Sequence, residues 1–99
     1  MPSTVQVYIP TPFRRATNNQ ARVRARADSV RTLLDELEGS FSGLKGLLRD
    51  EHGDVFRHVN IYVNSDAIEN LQGLATPLKE GDEVAIIPAL AGGLIQERA

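Results

Sequence analysis

The chain has no cysteine. Disulfides, thiolate metal sites and thiol nucleophiles are therefore excluded. It has only two histidines, His52 and His58. Two are too few for most metal centres, and neither belongs to an HExxH spacing, so no metal site is expected. A glycine-rich phosphate loop is missing too. No apolar run approaches the length of a transmembrane helix. The first residues lack the basic-then-apolar layout of a signal peptide, which makes the cytoplasm the expected location. A net charge of -2 gives no general drive toward nucleic acid or an anionic membrane. Side-chain catalysis is a poor expectation for such a chain, and no cofactor is expected.

What is present describes an ordinary small domain. Ninety-nine residues with 41% hydrophobic and 24% charged content fit one domain with its own core. Thr4 to Ile9 alternates, with Val5, Val7 and Ile9 on one face, and reads as a half-buried strand. Pro10-Thr11-Pro12 ends it. Phe13 to Gln20 reads as a loop with its turn at Asn18-Asn19. Ala21 to Ala27 alternates again, with Arg22, Arg24 and Arg26 as the polar partners, and pairs most simply as a hairpin with the first strand.

Asp28 is the expected N-cap of a helix from about Ser29 to Glu38. Its apolar stripe is Val30, Leu33, Leu34 and Leu37, and Gly39 is its expected stop. Phe41, Leu44, Leu47 and Leu48 suggest a further short helical piece, and Arg49 to Asp54 a loop. Val59, Ile61 and Val63 alternate in a third strand. Asn64-Ser65-Asp66 is turn chemistry leading to a very short strand at Ala67-Ile68. Glu80-Gly81-Asp82 makes another turn. Val84 to Ile87 is the last strand, apolar enough to be central and covered, and Pro88 closes it. The fold class is α+β: one helix on one face of a mixed four- to five-stranded sheet, with the first and last strands parallel at its centre.

Past that last strand come Pro88-Ala89-Leu90-Ala91-Gly92-Gly93. Glycine pairs usually serve turns, yet only Leu94 to Ala99 follow here. The other use of Gly-Gly is steric, since a backbone without Cβ can be threaded into a narrow channel. The domain is therefore expected to span 1–91, with 92–99 as a flexible tail.

Together these residues resemble the ubiquitin-like β-grasp fold, and more narrowly the ThiS/MoaD family of sulfur-carrier proteins. The segments that carry the resemblance are His58-Val59-Asn60-Ile61-Tyr62-Val63-Asn64, Gly73-Leu74-Ala75-Thr76-Pro77-Leu78, Glu80-Gly81-Asp82-Glu83-Val84 and Ile86 to Gly93. They are most similar to the CysO type, which serves cysteine biosynthesis. The resemblance implies a protein co-substrate rather than an enzyme. In this family an ATP-dependent partner related to ubiquitin-activating enzymes adenylates the C-terminal glycine carboxylate. A thiocarboxylate follows, and a sulfur-accepting synthase takes the sulfur. Gly93 matches the acyl position, and Pro88, Ala89, Leu90, Ala91 and Gly92 the tail that enters the partner's channel.

The chain departs from the pattern by continuing with Leu94 to Ala99, so an amide stands where the carboxylate is needed. Some family members are trimmed by a JAMM-type zinc metalloprotease, which would make this chain a precursor. The resemblance also leaves open a ubiquitin-like modifier joined through Gly93, or a carrier like the small subunit of molybdopterin synthase. A plain interaction module is the alternative outside acyl chemistry.

Other features have plainer explanations. Arg22, Arg24 and Arg26 could face an acidic partner, but a solvated edge strand whose charge blocks aggregation explains them more simply. His52 among Asp50, Glu51 and Asp54 is expected in a hydrophilic loop, His58 as a partly exposed strand residue, and Asp82-Glu83 in a turn rather than as a catalytic pair. Ala89 and Leu90 are expected to dock into a partner groove rather than onto the domain.

Overall fold

The computed structural model describes residues 2–88. Five strands form one sheet around an α-helix: β1 (Ser3–Tyr8), β2 (Arg22–Ala27), α1 (Val30–Ser40), β3 (Val59–Val63), β4 (Asp66–Ala67) and β5 (Glu83–Pro88). The spatial order is β2-β1-β5-β3-β4. β1 and β5 are parallel neighbours at the centre, as expected, and the other pairs are antiparallel.

Strict alternation in four strands puts one set of side chains against α1 and the other outside. Val5, Val7, Val23, Ala25, Ala27, Val59, Ile61, Val63, Val84 and Ile86 are buried, and they join Val30, Leu33, Leu34 and Leu37 of the helix in one cluster. Leu44, Leu48, Phe13 and Leu78 close the cluster from the connections.

Several local expectations are corrected. Ser29, not Asp28, caps α1: its Oγ accepts from the Thr32 N–H at 3.2 Å, while Thr32 Oγ1 accepts from the Ser29 N–H at 3.1 Å. Asp28 supports this box from outside by accepting the Thr32 hydroxyl at 3.1 Å. The cap falls one residue later than expected because Ser29 is still extended and bridges Pro77. Gly39 does not stop the helix, which runs to Ser40. An exposed glycine costs a helix only about 1 kcal/mol, and the buried stripe behind it holds the turn. Thr11–Thr17, expected as loop, winds into a 3-10 helix begun by Pro12. The expected helical piece after Phe41 shrinks to a single 3-10 turn, Ser42–Leu44.

The expected turns are present. Asn18 and Asn19 both take positive φ, as do Asn64 and Ser65 at the tip of the β3–β4 hairpin. Two successive positive φ values match the twist of a two-residue hairpin.

The long segment between α1 and β3 is tied down by Arg49. Its guanidinium donates to both oxygens of Glu38, at 3.0 and 2.8 Å, and to Asp35 at 2.9 Å. The hydrogen bonds to Glu38 hold the guanidinium charged well above its ordinary range. Asp50 spends one carboxylate oxygen on the His52 and Asp54 backbone N–H groups. Among the described residues no cluster of His, Asp or Glu could hold a metal ion, and no helix is long and apolar enough to cross a membrane.

Candidate functional site

The site is built on the end of β5. This strand is hydrogen-bonded on both sides, to β1 and to β3, so its position is fixed by two neighbours. β1 gives out first: its last pair with β5 is Tyr8↔Ala85. β5 then continues through Ile86, Ile87 and Pro88 on β3 alone, with Pro88 opposite Val59. The strand thus projects from the sheet at the point where the tail begins.

Pro88 corrects the reading of the tail. It is not outside the sheet but is the last, buried residue of β5. Register explains how a proline fits. The Asn64 N–H donates to the Glu83 carbonyl at 2.8 Å, so counting in twos from that pair, Val59↔Pro88 falls at a position without ladder bonds. The Val59 N–H is instead taken by the Phe56 carbonyl at 3.0 Å. The proline's missing N–H faces the side where β1 has already ended. Pro88 is therefore the root of the tail and part of the sheet. Ala89, Leu90, Ala91, Gly92 and Gly93, the extension Leu94 to Ala99, and the boundary expected at 91/92 lie outside the described residues.

Next to this root lies a feature that the sequence reading missed. The face of the sheet away from α1 is uncovered. On it the register aligns Arg22, Tyr8, Ala85 and Tyr62 across four strands, with Ile87 and Asn60 as the adjoining pair. Tyr8 is 39% and Ile87 44% exposed, large values for such side chains in a sheet. Together with Tyr62, Val84, Ala85, Glu83, Asn64 and Ser65 they line a shallow depression of about 390 Å³. β5 is central, as expected, but it is covered on one side only: a single helix screens Val84 and Ile86 and leaves Ile87 in solvent. The signal was available, since Tyr8 and Ile87 are bulky apolar residues at outward positions.

The remaining candidates separate from this site. Arg22, Arg24 and Arg26 are exposed on β2, at the far edge of the same open face. His58 is exposed and stacks on Phe56, with ring centroids 5.3 Å apart. His52 is exposed beside Glu51. Asp82 is structural: it accepts from the Lys79 N–H and from the Asn64 side chain, both at 2.8 Å. The end of β5 thus lies beside an apolar sheet face that no other element covers, the kind of surface that marks an interaction site.

Comparison with known proteins gives this arrangement a family. The model of the ThiS family matches residues 7–93, stopping at Gly93. The chain is 42% identical over 91 residues to the sulfur carrier protein CysO of Mycobacterium tuberculosis, covering 90% of this chain and 98% of that protein. It is 40% identical over 65 residues to small archaeal modifier protein 3 of Haloferax volcanii, covering 66% of this chain and 70% of that one. Among solved structures, it superposes with a TM-score of 0.83 on a chain of the Amycolatopsis orientalis BexX/CysO complex, at 36% identity, covering 90% of this chain and 99% of that one. The architecture shared with these structures is the ubiquitin-like β-grasp.

Proposed function

This chain belongs to the ThiS family, and on that premise we propose that it carries sulfur as a thiocarboxylate on Gly93, for cysteine or a related biosynthesis. Its relatives include sulfur carrier proteins, and on this reading the chain is a carrier consumed and regenerated by other proteins rather than a catalyst itself. The observation that carries the proposal is the match over 98% of a sulfur carrier, with the family region ending on Gly93.

The chemistry follows from the acyl end. With Leu94 to Ala99 removed, a Gly93 carboxylate oxygen attacks the α-phosphorus of ATP in the partner's site and pyrophosphate leaves. A sulfur nucleophile at the oxidation level of sulfide then displaces AMP from the acyl carbon, leaving the thiocarboxylate. The thiocarboxylate sulfur then attacks an electrophilic carbon of the substrate held by the acceptor synthase, forming a thioester. Hydrolysis of the acyl carbon–sulfur bond leaves the sulfur on the acceptor as a thiol and restores the Gly93 carboxylate. The five residues from Ala89 to Gly93 reach at most about 17 Å beyond Pro88. The active site of the partner must therefore lie within that distance of Pro88, which makes the open face around Tyr8 and Ile87 the natural docking surface. Gly92 and Gly93 leave the channel free of Cβ atoms. Removal of residues 94–99 requires a peptidase, for which a JAMM-type metalloprotease, the class that trims some members of the family, is the candidate.

The similarity to an archaeal modifier protein supports a second reading, in which the same activated acyl group is passed to a lysine amine. Intact mass spectrometry of the protein from its own cells separates the two. A chain ending at Gly93 and heavier by the difference between sulfur and oxygen is the carrier. A mass increased by a whole protein is the modifier, and an untrimmed, unmodified population in sulfur-starved cells counts against both.

A further inference from the structure

The arginines of β2 do not behave as edge protection alone. Charged side chains blunt an edge strand, but here Arg22, Arg24 and Arg26 occupy every outward position of β2 and all three are exposed. None makes an ion pair among the described residues. Their register places them beside Tyr8, Gln6 and Thr4 of β1. Successive outward positions lie about 6.7 Å apart, so the row runs about 13 Å along the sheet. Arg22 is turned across the sheet rather than out to water. Its Cζ sits 4.6 Å from the centroid of the Tyr8 ring, and its Nη2 donates to the Tyr8 hydroxyl. The guanidinium row is thus continuous, through Tyr8, with the apolar surface that ends at Ile87 and Pro88. Two acidic residues share this face: Glu83, two strands away and level with Arg24, and Glu80, whose carboxylate accepts the Thr4 N–H at 2.8 Å near the Arg26 end.

We infer that Arg22, Arg24 and Arg26 form a cationic rail that steers an acidic rim of the adenylating enzyme onto the open sheet face and fixes its orientation; this rests on the carrier reading above. An apolar patch gives attraction without direction. A one-sided row of guanidiniums, none of them ion-paired among the described residues, supplies direction, because complementary potentials act before contact and penalise the reversed approach. Docked in the one orientation that places the rail against acid, the partner has Pro88 and the tail at the opposite margin of its footprint. Nucleic acid fits this surface less well. The row holds three cations on a chain of net charge -2, with the Glu83 and Glu80 carboxylates on the same face and an apolar surface, not further base, at its side.

The test uses residues 1–93 and the adenylating enzyme from the same genome, with association followed by stopped-flow fluorescence at about 50 and about 300 mM NaCl. For the unaltered protein, the association rate is expected to fall about tenfold across that range. The triple change Arg22→Gln, Arg24→Gln, Arg26→Gln should lower the low-salt rate about tenfold and flatten its salt dependence, with dissociation changed less than about threefold. The triple change to Lys should keep both the rate and the salt slope. Arg24→Gln alone, which leaves the Arg22–Tyr8 contact in place, gives a smaller loss in the same direction if the triple variant fails to fold. Unchanged rates and slope in the Gln variants would overturn the rail, as would equal losses in the Lys variant, or tighter arginine-dependent binding to a DNA duplex than to the enzyme. Pyrophosphate exchange separates this failure from that of the carrier reading. If unaltered 1–93 supports no exchange, the carrier reading fails and the rail falls with it; if it does, only the rail is in question.

Discussion

On the helix side of the sheet, Val5, Val7, Val84 and Ile86 are at most 2% exposed, whereas on the other side Tyr8 and Ile87 keep 39% and 44% of their surface in water. The same strands supply both sets, one residue apart. One face is filled by Leu33, Leu34 and Leu37 and holds the fold together. The other is left without a layer, adjoins the root of the tail and is bounded by arginines. On the proposed carrier reading, a small protein that presents its acyl end to partners can divide its labour this way. Residues that bind partners then contribute little to stability, and residues that stabilise the fold stay out of reach of partners.

This division is open to direct attack. Leu37→Ala on the covered face should cost about 2–5 kcal/mol, as truncation of a fully buried leucine does. Chemical denaturation measures it, and a cost near zero would remove α1 from the core. Arg49→Gln should cost about 1–3 kcal/mol, because Glu38 then loses its partner in a half-buried position. The raised Arg49 pKa makes this contribution complete at every pH below its ordinary value and lost only above it, so denaturation between about pH 7 and 9 should show the same cost throughout. Ser29→Ala should cost about 1 kcal/mol through loss of the capping box, with the helix frayed at Val30 in amide exchange. Ile87→Ala should have the smallest effect on the fold, within about 0.5 kcal/mol, yet weaken binding to the adenylating enzyme about tenfold. A large loss of stability from Ile87→Ala, with affinity unchanged, would reverse the assignment of the two faces.

The covered face was legible in the sequence, and the open one only in part. Period-two alternation in Val5-Val7, Val23-Ala25, Val59-Ile61 and Val84-Ile86, set against the Val30–Leu37 stripe, is a local signal that survives folding. The positive-φ turns at Asn18-Asn19 and Asn64-Ser65 were legible for the same reason. The helix cap was misplaced because Asp28 and Ser29 are both good caps locally. A distant contact, the bridge of Ser29 to Pro77, decides between them. Pro88 was read as a strand breaker because sequence does not show which neighbour has ended or which pair lacks a ladder bond. The patch at Tyr8, Tyr62 and Ile87 depends on three strands that are remote in the chain, and the Arg22–Tyr8 contact on a β1–β2 register that alternation allows but does not specify. Gly93 was marked as the candidate acyl residue by the family resemblance rather than by Gly-Gly alone, and the family match ends on it.

The central claim is that the Gly93 carboxylate is the working group. The measurement that tests it most directly is ATP–pyrophosphate exchange by the adenylating enzyme of the same genome, supplied with residues 1–93, with the full chain, or with 1–93 carrying Gly93→Ala, and with intact mass recorded before and after. The account predicts exchange with 1–93, none with the intact full chain, a much slower rate with Gly93→Ala at unchanged fold, and a sulfur-for-oxygen mass gain on 1–93 when a sulfur donor is added. Equal exchange by the full chain and 1–93, with no trimming seen by mass, would contradict it and leave the chain a β-grasp interaction module.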